Sequence, residues 1–290
     1  MAISIHPHDA ALGAEVSGID CAKPLDGDAI KTIKAAWDKY LVLILRDQKL
    51  DDPALLAFSK NFGLLDPPGP NPYGEVFLPD FPEINVISNV IENDRPIGNL
   101  GDGEAVWHAD MTYIASPPKA AILHALEIPN VGGDTYFANM FAAYDALSPK
   151  LQDQIEGLTA IHDAAHNSAG MMRTGYTTPD DIRDTPGAHH PLVRLDPETG
   201  RRCLFLGRRP HAYINGLSVP DSETLLDALW EHVSRPEFAM GHQWRAGDLL
   251  MWLNLGILHR RDSFDAGARR IIHRTQIKGD EQIRSGNAHH

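Results

Sequence analysis

Cysteine is scarce: Cys21 and Cys203 are the only two in 290 residues. That excludes a disulfide framework and a Cys-rich metal site, and it suits a reducing compartment. Long apolar runs are missing too; none approaches the ~20 residues needed to cross a bilayer. The opening "MAISIHPHDAALGAEVSGID" lacks the basic and apolar regions of a secretory signal. A cytoplasmic location is therefore expected. Positive charge is in deficit: 26 Lys and Arg stand against 39 Asp and Glu, a formal net charge of −13. Nucleic acid and anionic membranes require a basic face, so neither is an expected partner. A small anion is not excluded, because a few buried arginines can outweigh the global charge locally. No repeat or low-complexity linker interrupts the chain, and residues 1–290 read as one domain.

Short strand candidates dominate what is there. "DAIKTIKAAWDKY" has Ile30, Ile33 and Trp37 at helical spacing. It runs into "LVLIL" (41–45), a continuous apolar run suited to a buried strand. "DDPALLAFSKNFG" reads as a short helix, with Pro53 near its start and Gly63 near its end. Residues 66–82 carry six prolines and two glycines, which predicts a long irregular loop of the kind that serves as a lid. "EINVIS", "AVWHAD", "KAAILHALEI", "GDTYFANM", "RRCLFLG", "GDLLMWLNLGILHRRD" and "ARRIIHRTQIKGD" read as strands. "SPKLQDQIEGL" reads as a helix capped by Ser148. "DSETLLDALWEHVS" is a second amphipathic helix, with Leu225, Leu229, His232 and Val233 on one side. Residues 163–189 form an irregular polar insertion. Many short strands with helices in front and between predict a mainly β fold with flanking helices, a jelly-roll barrel.

"AVWHADMTY" sets His108 and Asp110 one residue apart. In a strand they would share a face and could grip one metal ion side by side. Among fifteen histidines, one such pair is expected by chance. His259 follows the apolar strand "LLMWLNLGIL". Beyond it, Arg270, Ile272 and Arg274 alternate with Arg269, Ile271 and His273. On a strand, Arg270 and Arg274 face the same way, with Cα atoms roughly 13 Å apart. Two guanidinium groups inside a barrel require anions to meet them. The alternation equally allows isoleucines in the core and arginines in solvent.

The combination "WHAD…TY…PP…GGDT", followed much later by His and then Arg-x-x-x-Arg, resembles one family. This is the taurine dioxygenase / 2,4-dichlorophenoxyacetate dioxygenase family of iron(II)- and 2-oxoglutarate-dependent enzymes. The likeness runs along nearly the whole chain, from "GAEVSGID" and "LVLILRDQKL" to "GDLLMWLNLGILHRRD" and "RRIIHRTQIKGD". It implies a double-stranded β-helix, the cupin-like form of the jelly roll. It also implies that His108, Asp110 and His259 are the catalytic metal ligands, that Thr135 and Arg270 hold 2-oxoglutarate, and that Arg274 meets the substrate's anion. Two histidines and a carboxylate leave three positions of an octahedral Fe(II) open, two for bidentate 2-oxoglutarate and one for O₂. The implied reaction hydroxylates an unactivated C–H of a small anion, with succinate and CO₂ as co-products. A sulfonate, an aryloxyalkanoate or an amino-acid-like molecule would each serve as substrate. Desaturation or ring closure at the same site is one alternative, and a non-catalytic jelly roll that binds a small acid is another. Asp110 speaks against halogenation, for which related enzymes carry a small residue there. A zinc hydrolase would leave Thr135 and Arg270 without a role. Family members are often dimers or tetramers, so a homodimer or homotetramer is expected.

The substrate side is less legible. "NPYGEVF" and "NLGDGEAVW" stand where the family builds its pocket, and the taurine-specific set of His, Tyr and Asn is not clearly reproduced. Glu104, four residues before His108, would offer a carboxylate to a cationic group of the substrate or to solvent. His162 and His166 have a helical ligand spacing without an evident third partner, and read as surface or loop. His189, His190, Arg208 and Arg209 read as structural or solvated, His124 as a satisfied core histidine, His273 as structural and Trp107 as packing. Asn254 suits orienting a ligand and satisfying backbone equally.

Overall fold

The run "LVLIL" is apolar throughout because it lies mid-sheet. The Val42–Leu45 strand pairs antiparallel with Leu249–Leu253 on one side and parallel with Ala14–Ser17 on the other. The computed structural model describes residues 3–69, 74, 76–103, 105–279, 282–283 and 285–286. Within it this sheet has nine strands. Its order is Ser4–Pro7, Ala14–Ser17, Val42–Leu45, Leu249–Leu253, Ala120–Glu127, Ile271–Ile277, Asn85–Ser88 and Asn99–Leu100, with Leu65–Asp66 added on the 271–277 strand. A second, four-stranded sheet runs Ala239–His242, Thr135–Asn139, Ile257–Arg261 and Ala105–His108. The two sheets face each other. Phe137 of the smaller packs its ring 5.5 Å from Trp252 of the larger, and Trp252 lies 4.8 Å from the His259 ring. This is the mainly β, double-stranded β-helix with flanking helices expected from the sequence. No helix among the described residues is long and apolar enough to cross a membrane.

Period-two alternation divides the large sheet's side chains between two cores. On Ala120–Glu127, Ala121, Leu123 and Ala125 enter the space between the sheets. Ala120 and Ile122 turn the other way, under Ile33 and Trp37 of the Gly27–Tyr40 helix and Leu55 and Phe58 of the Asp52–Lys60 helix. Strands covered on both faces read as unbroken apolar runs. The same helix cover sets the phase of Ile271–Ile277. The Ser59 hydroxyl pairs with Thr275 at 2.7 Å, and His273 Nδ1–H donates to Asp52 at 2.6 Å. Positions 273 and 275 thus face the helix, and Arg270, Ile272, Arg274 and Gln276 face inward. Arginines in the barrel, not in solvent, is the arrangement the molecule adopts.

Three strand readings need correction. "GDLLMWLNLGILHRRD" is two strands, Leu249–Leu253 and Ile257–Arg261, joined by a turn and lying in different sheets. Asp110 lies in a turn just past the Ala105–His108 strand, and Arg270 just precedes Ile271–Ile277. Of the loop 66–82, residues 70–73 and 75 lie outside the described residues, as do Glu104 and the terminal His289 and His290. Residues 159–163 and 187–191 pair as antiparallel strands, and between them the described regular element is the short 3₁₀ turn Ile182–Asp184.

Gly207 sits at φ +66°, and a Cβ there would fall 2.2 Å from Nδ1 of buried His162; Gly200 has nearly the same φ, +68°, in open space. Gly200→Ala should cost only the left-handed strain, about 1–2 kcal/mol. Gly207→Ala should cost about 1–3 kcal/mol more, because the His162 ring must move. Denaturant unfolding of the two variants side by side measures the difference, and equal losses would refute the packing of His162 beneath Gly207.

Candidate active site

Two strands and a turn deliver a set of metal-ligating groups to one point. His108 ends its strand, His259 stands opposite it in register on Ile257–Arg261, and Asp110 follows in the turn. Asp110 Oδ1 is 3.7 Å from His108 Nε2 and 3.9 Å from His259 Nε2. One donor atom from each of the three residues lies within 4.8 Å of the others. An ion bound at about 2.1 Å to each donor needs donors roughly 3 Å apart, so a small contraction completes the set. His108 Nδ1–H donates to the Val106 carbonyl at 2.8 Å, which leaves the Nε2 lone pair facing the centre. Burial holds both His108 and His259 below the ordinary histidine value, so both are neutral imidazoles, the form that ligates. Burial would raise the Asp110 carboxyl, but its neighbours, the Arg274 guanidinium foremost, outweigh it and hold the group below its usual value.

Asp110 is held by its backbone as well as its charge. Asn254, fully buried, accepts from the Asp110 N–H at 2.7 Å and donates to the Asp110 and Pro118 carbonyls at 2.9 and 2.8 Å. It therefore both orients a ligand and satisfies backbone. The carboxylate divides its oxygens. Oδ1 faces the histidines, while Oδ2 accepts from Arg274 Nη1 at 2.9 Å. Gln276 Nε2 lies 3.5 Å from the same oxygen.

Beyond the histidines lies a recess lined by Thr135, Arg261 and Arg270 together with His108, Asp110 and His259. Arg270 is 3 % exposed. Among the described residues no carboxylate comes within ion-pair distance of it; the rings of Phe264 and Trp244 stand 5.8 and 5.9 Å from its guanidinium carbon. Burial pushes this guanidinium down to about 9, with the Arg261 cation adding to the shift. Burial likewise lowers Arg261 to about 10, and Arg261 donates to the carbonyls of Leu100 and Gly103. Thr135 Oγ1 accepts from Trp244 Nε1–H at 2.9 Å. An indole N–H only donates, so the Thr135 hydroxyl hydrogen remains free to donate elsewhere. The recess thus offers two cations and a hydroxyl donor beside three metal-ligating groups. An anion that also reaches a metal would satisfy all of them.

A second recess opens on the other side of Arg274 and Asp110, and His162, Asp163, His166 and Arg208 line it. The surface reading of these histidines is overturned. His162 is on a strand, 2 % exposed, with its ring stacked 5.4 Å from Phe205. His166 is buried, and its Nδ1–H donates to Asp163 at 2.9 Å. Arg208 is not in a solvated turn but 9 % exposed, donating to that same Asp163 oxygen. Asp163, His166 and His211 also bring donor atoms within 4.8 Å. The His166 and His211 rings, however, lie parallel at 4.2 Å, so their lone pairs do not converge, and Arg208 already occupies the carboxylate. This is an ion-pair and stacking network rather than a metal site. Arg209 does reach the surface, pairing with Glu223 and Asp227. His190 donates to the Thr112 and Ile114 carbonyls, and His124 to that of Gln48, as core histidines do. Arg261, Trp244 and Gln276 escaped sequence reading. Two of them carried a signal: Arg261 is two residues past His259 on one strand, and Gln276 continues the inward phase of Arg274.

A buried cation without a counter-ion opposes folding. Arg270→Met should therefore stabilise the ligand-free protein by about 1–3 kcal/mol, a rise of a few degrees in Tm. Calorimetry in buffer free of carboxylic acids reads this out; a lower Tm would mean that Arg270 has a partner within the fold.

Known proteins share this architecture. The family described as "Taurine catabolism dioxygenase TauD, TfdA family" matches residues 4–276. An (S)-phenoxypropionate/alpha-ketoglutarate-dioxygenase of Sphingobium herbicidovorans is 34 % identical, over 99 % of this chain and 99 % of that one. An alpha-ketoglutarate-dependent 2,4-dichlorophenoxyacetate dioxygenase of Cupriavidus pinatubonensis is 32 % identical, over 98 % of this chain and 100 % of that one. Among solved structures, AAD-2 in complex with Mn(II) and N-oxalylglycine superposes with a TM-score of 0.80 at 32 % identity, covering 98 % of this chain and 100 % of that one. With the likeness extending from end to end, the chain belongs to the taurine catabolism dioxygenase TauD, TfdA family.

Proposed function

We propose that the protein oxidises a small organic anion at an unactivated C–H, with His108, Asp110 and His259 holding Fe(II), Thr135 and Arg270 holding 2-oxoglutarate, and Arg274 holding the substrate's anionic group. One observation carries this reading. Arg270 is buried with no counter-ion among the described residues, beside a free hydroxyl donor, in the recess that the two histidines and the carboxylate line. Like the rest of the family, the enzyme is a 2-oxoglutarate-dependent dioxygenase, using Fe(II), 2-oxoglutarate and O₂. The bound metal supplies O₂ activation coupled to decarboxylation of 2-oxoglutarate to succinate and CO₂. The chain supplies position. Arg270 and the Thr135 hydroxyl grip the far carboxylate of 2-oxoglutarate by charge-assisted bonds. Trp244 fixes the Thr135 hydroxyl in its donating orientation. Arg274, one carboxylate away from the metal ligands, sets the substrate's carbon chain beside the reacting centre, which is where orientation lowers a barrier most. Carboxylate substrates of the aryloxyalkanoate type, as named for the two relatives, meet the requirement for a single anion on Arg274. Two buried free cysteines support a cytoplasmic setting, and we extend the proposal to a homodimer or homotetramer, which sedimentation would check.

Anaerobic addition of Fe(II) and then 2-oxoglutarate should produce a weak visible charge-transfer band that His108→Ala abolishes. Absence of the band in folded wild-type protein would sink the reading. Once O₂ is admitted, Arg270→Ala should raise the KM for 2-oxoglutarate about 10–100-fold, the loss of a charge-assisted bond. Trp244→Phe should raise the same constant about 3–10-fold, and should add little in a Thr135→Val background. Full additivity of those two substitutions would show that Trp244 does not act through Thr135.

A further inference from the structure

The recess in front of Arg274 has a second cationic end. Arg173 lines it together with Tyr113, Asn85, Asn99 and Asn167. The Arg173 guanidinium lies 4.0 Å over the Tyr113 ring, and its Nη1 donates to the Ala164 carbonyl at 2.6 Å. Among the described residues no carboxylate reaches it. Asp163, an acid on this wall, is already taken by Arg208 and His166. Asn167 is 7 % exposed, and its Oδ1 accepts from the N–H groups of Ala169 and Met171 at 3.0 and 2.9 Å. Those two bonds fix the amide plane and leave Nδ2, a buried donor, without a partner. Both cations act on Tyr113: burial raises its hydroxyl, and Arg173 and Arg274 pull against that rise. A monoanion with an apolar tail would satisfy Arg274 alone. It would strip water from Arg173 and give neither Arg173 nor Asn167 an acceptor, an unfavourable exchange.

We propose that the substrate carries two anionic groups, one held by Arg274 beside the metal ligands and a second held by Arg173 and the Asn167 amide. This rests on the proposed function and narrows its substrate class. It sets the enzyme apart from relatives named for phenoxypropionate and dichlorophenoxyacetate, whose substrates bear a single acid. The second group acts at a distance from the reacting carbon, so its contribution falls on substrate selection rather than on cosubstrate use.

The test compares phenoxyacetate with its 3-carboxy and 4-carboxy derivatives on the Fe(II)- and 2-oxoglutarate-loaded enzyme, following substrate-stimulated succinate. At least one dianionic member should exceed phenoxyacetate in kcat/KM about tenfold or more, the worth of one charge-assisted contact. In Arg173→Gln that ratio should collapse toward one, while Arg173→Lys should keep part of it. A ring carboxylate that lowers kcat/KM or leaves it unchanged in the wild type overturns the second anion site, with no variant required. So does a ratio that survives in folded Arg173→Gln. A wild-type protein that forms no charge-transfer band with Fe(II) and 2-oxoglutarate overturns the function itself, an outcome distinct from a band accompanied by preference for the monoanion.

Discussion

The inward side chains of the Ile271–Ile277 strand reach the site only because the Asp52–Lys60 helix claims the opposite face. A strand offers its residues to two sides by strict alternation, and a shift of one position would exchange them. Ser59 and Asp52 bond to Thr275 and His273, so the helix locks the register in the phase that sends Arg270, Arg274 and Gln276 between the sheets. The neighbouring strands Ala120–Glu127 and Asn85–Ser88 hold it in line on either side. The contact between Arg274 and Asp110 follows from that choice.

The site is therefore built against local stability. Arg261 and Arg270 share one recess, and burial lowers both guanidinium groups. A core optimised for folding alone would fill these positions with leucine. Here the surrounding shell absorbs the strain: Trp252 and Phe137 close the apolar floor beneath the histidines, and buried Asn254 clamps the turn that carries Asp110. Rigid strands and a satisfied backbone keep the metal-ligating groups converging.

Much of this was legible in the sequence, for reasons that differ by element. The apolar runs at 41–45 and 249–253 announced buried strands, since only a covered sheet tolerates such runs. His108, Asp110, His259, Thr135 and Arg270 were found through resemblance, and the fold does bring them to one place. The residues that escaped share one property: their meaning depends on a partner far along the chain. Trp244 matters because Thr135, 109 residues away, accepts its N–H. Arg208 looked like a solvated turn because nothing in "GRRPH" shows that Asp163 waits in the interior 45 residues earlier. The spacing of His162 and His166 suggested a helix, whereas His162 belongs to a strand whose partner begins at Gly187. Glu104 stands outside the described residues, and its part is untouched by the geometry.

The net charge of −13 conceals an interior of the opposite sign. Among the described residues that line the two recesses, Arg173, Arg208, Arg261, Arg270 and Arg274 stand with two carboxylates, Asp110 and Asp163. The histidines do not add to the positive total, because burial keeps His108 and His259 neutral. Low-dielectric walls focus such a field toward the openings, so small anions are drawn in while the acidic exterior repels polyanions. Asp110 and Arg274 sit where the recesses meet. One oxygen of that carboxylate faces the histidines and the other faces the cation, so the two compartments share a single charged pair.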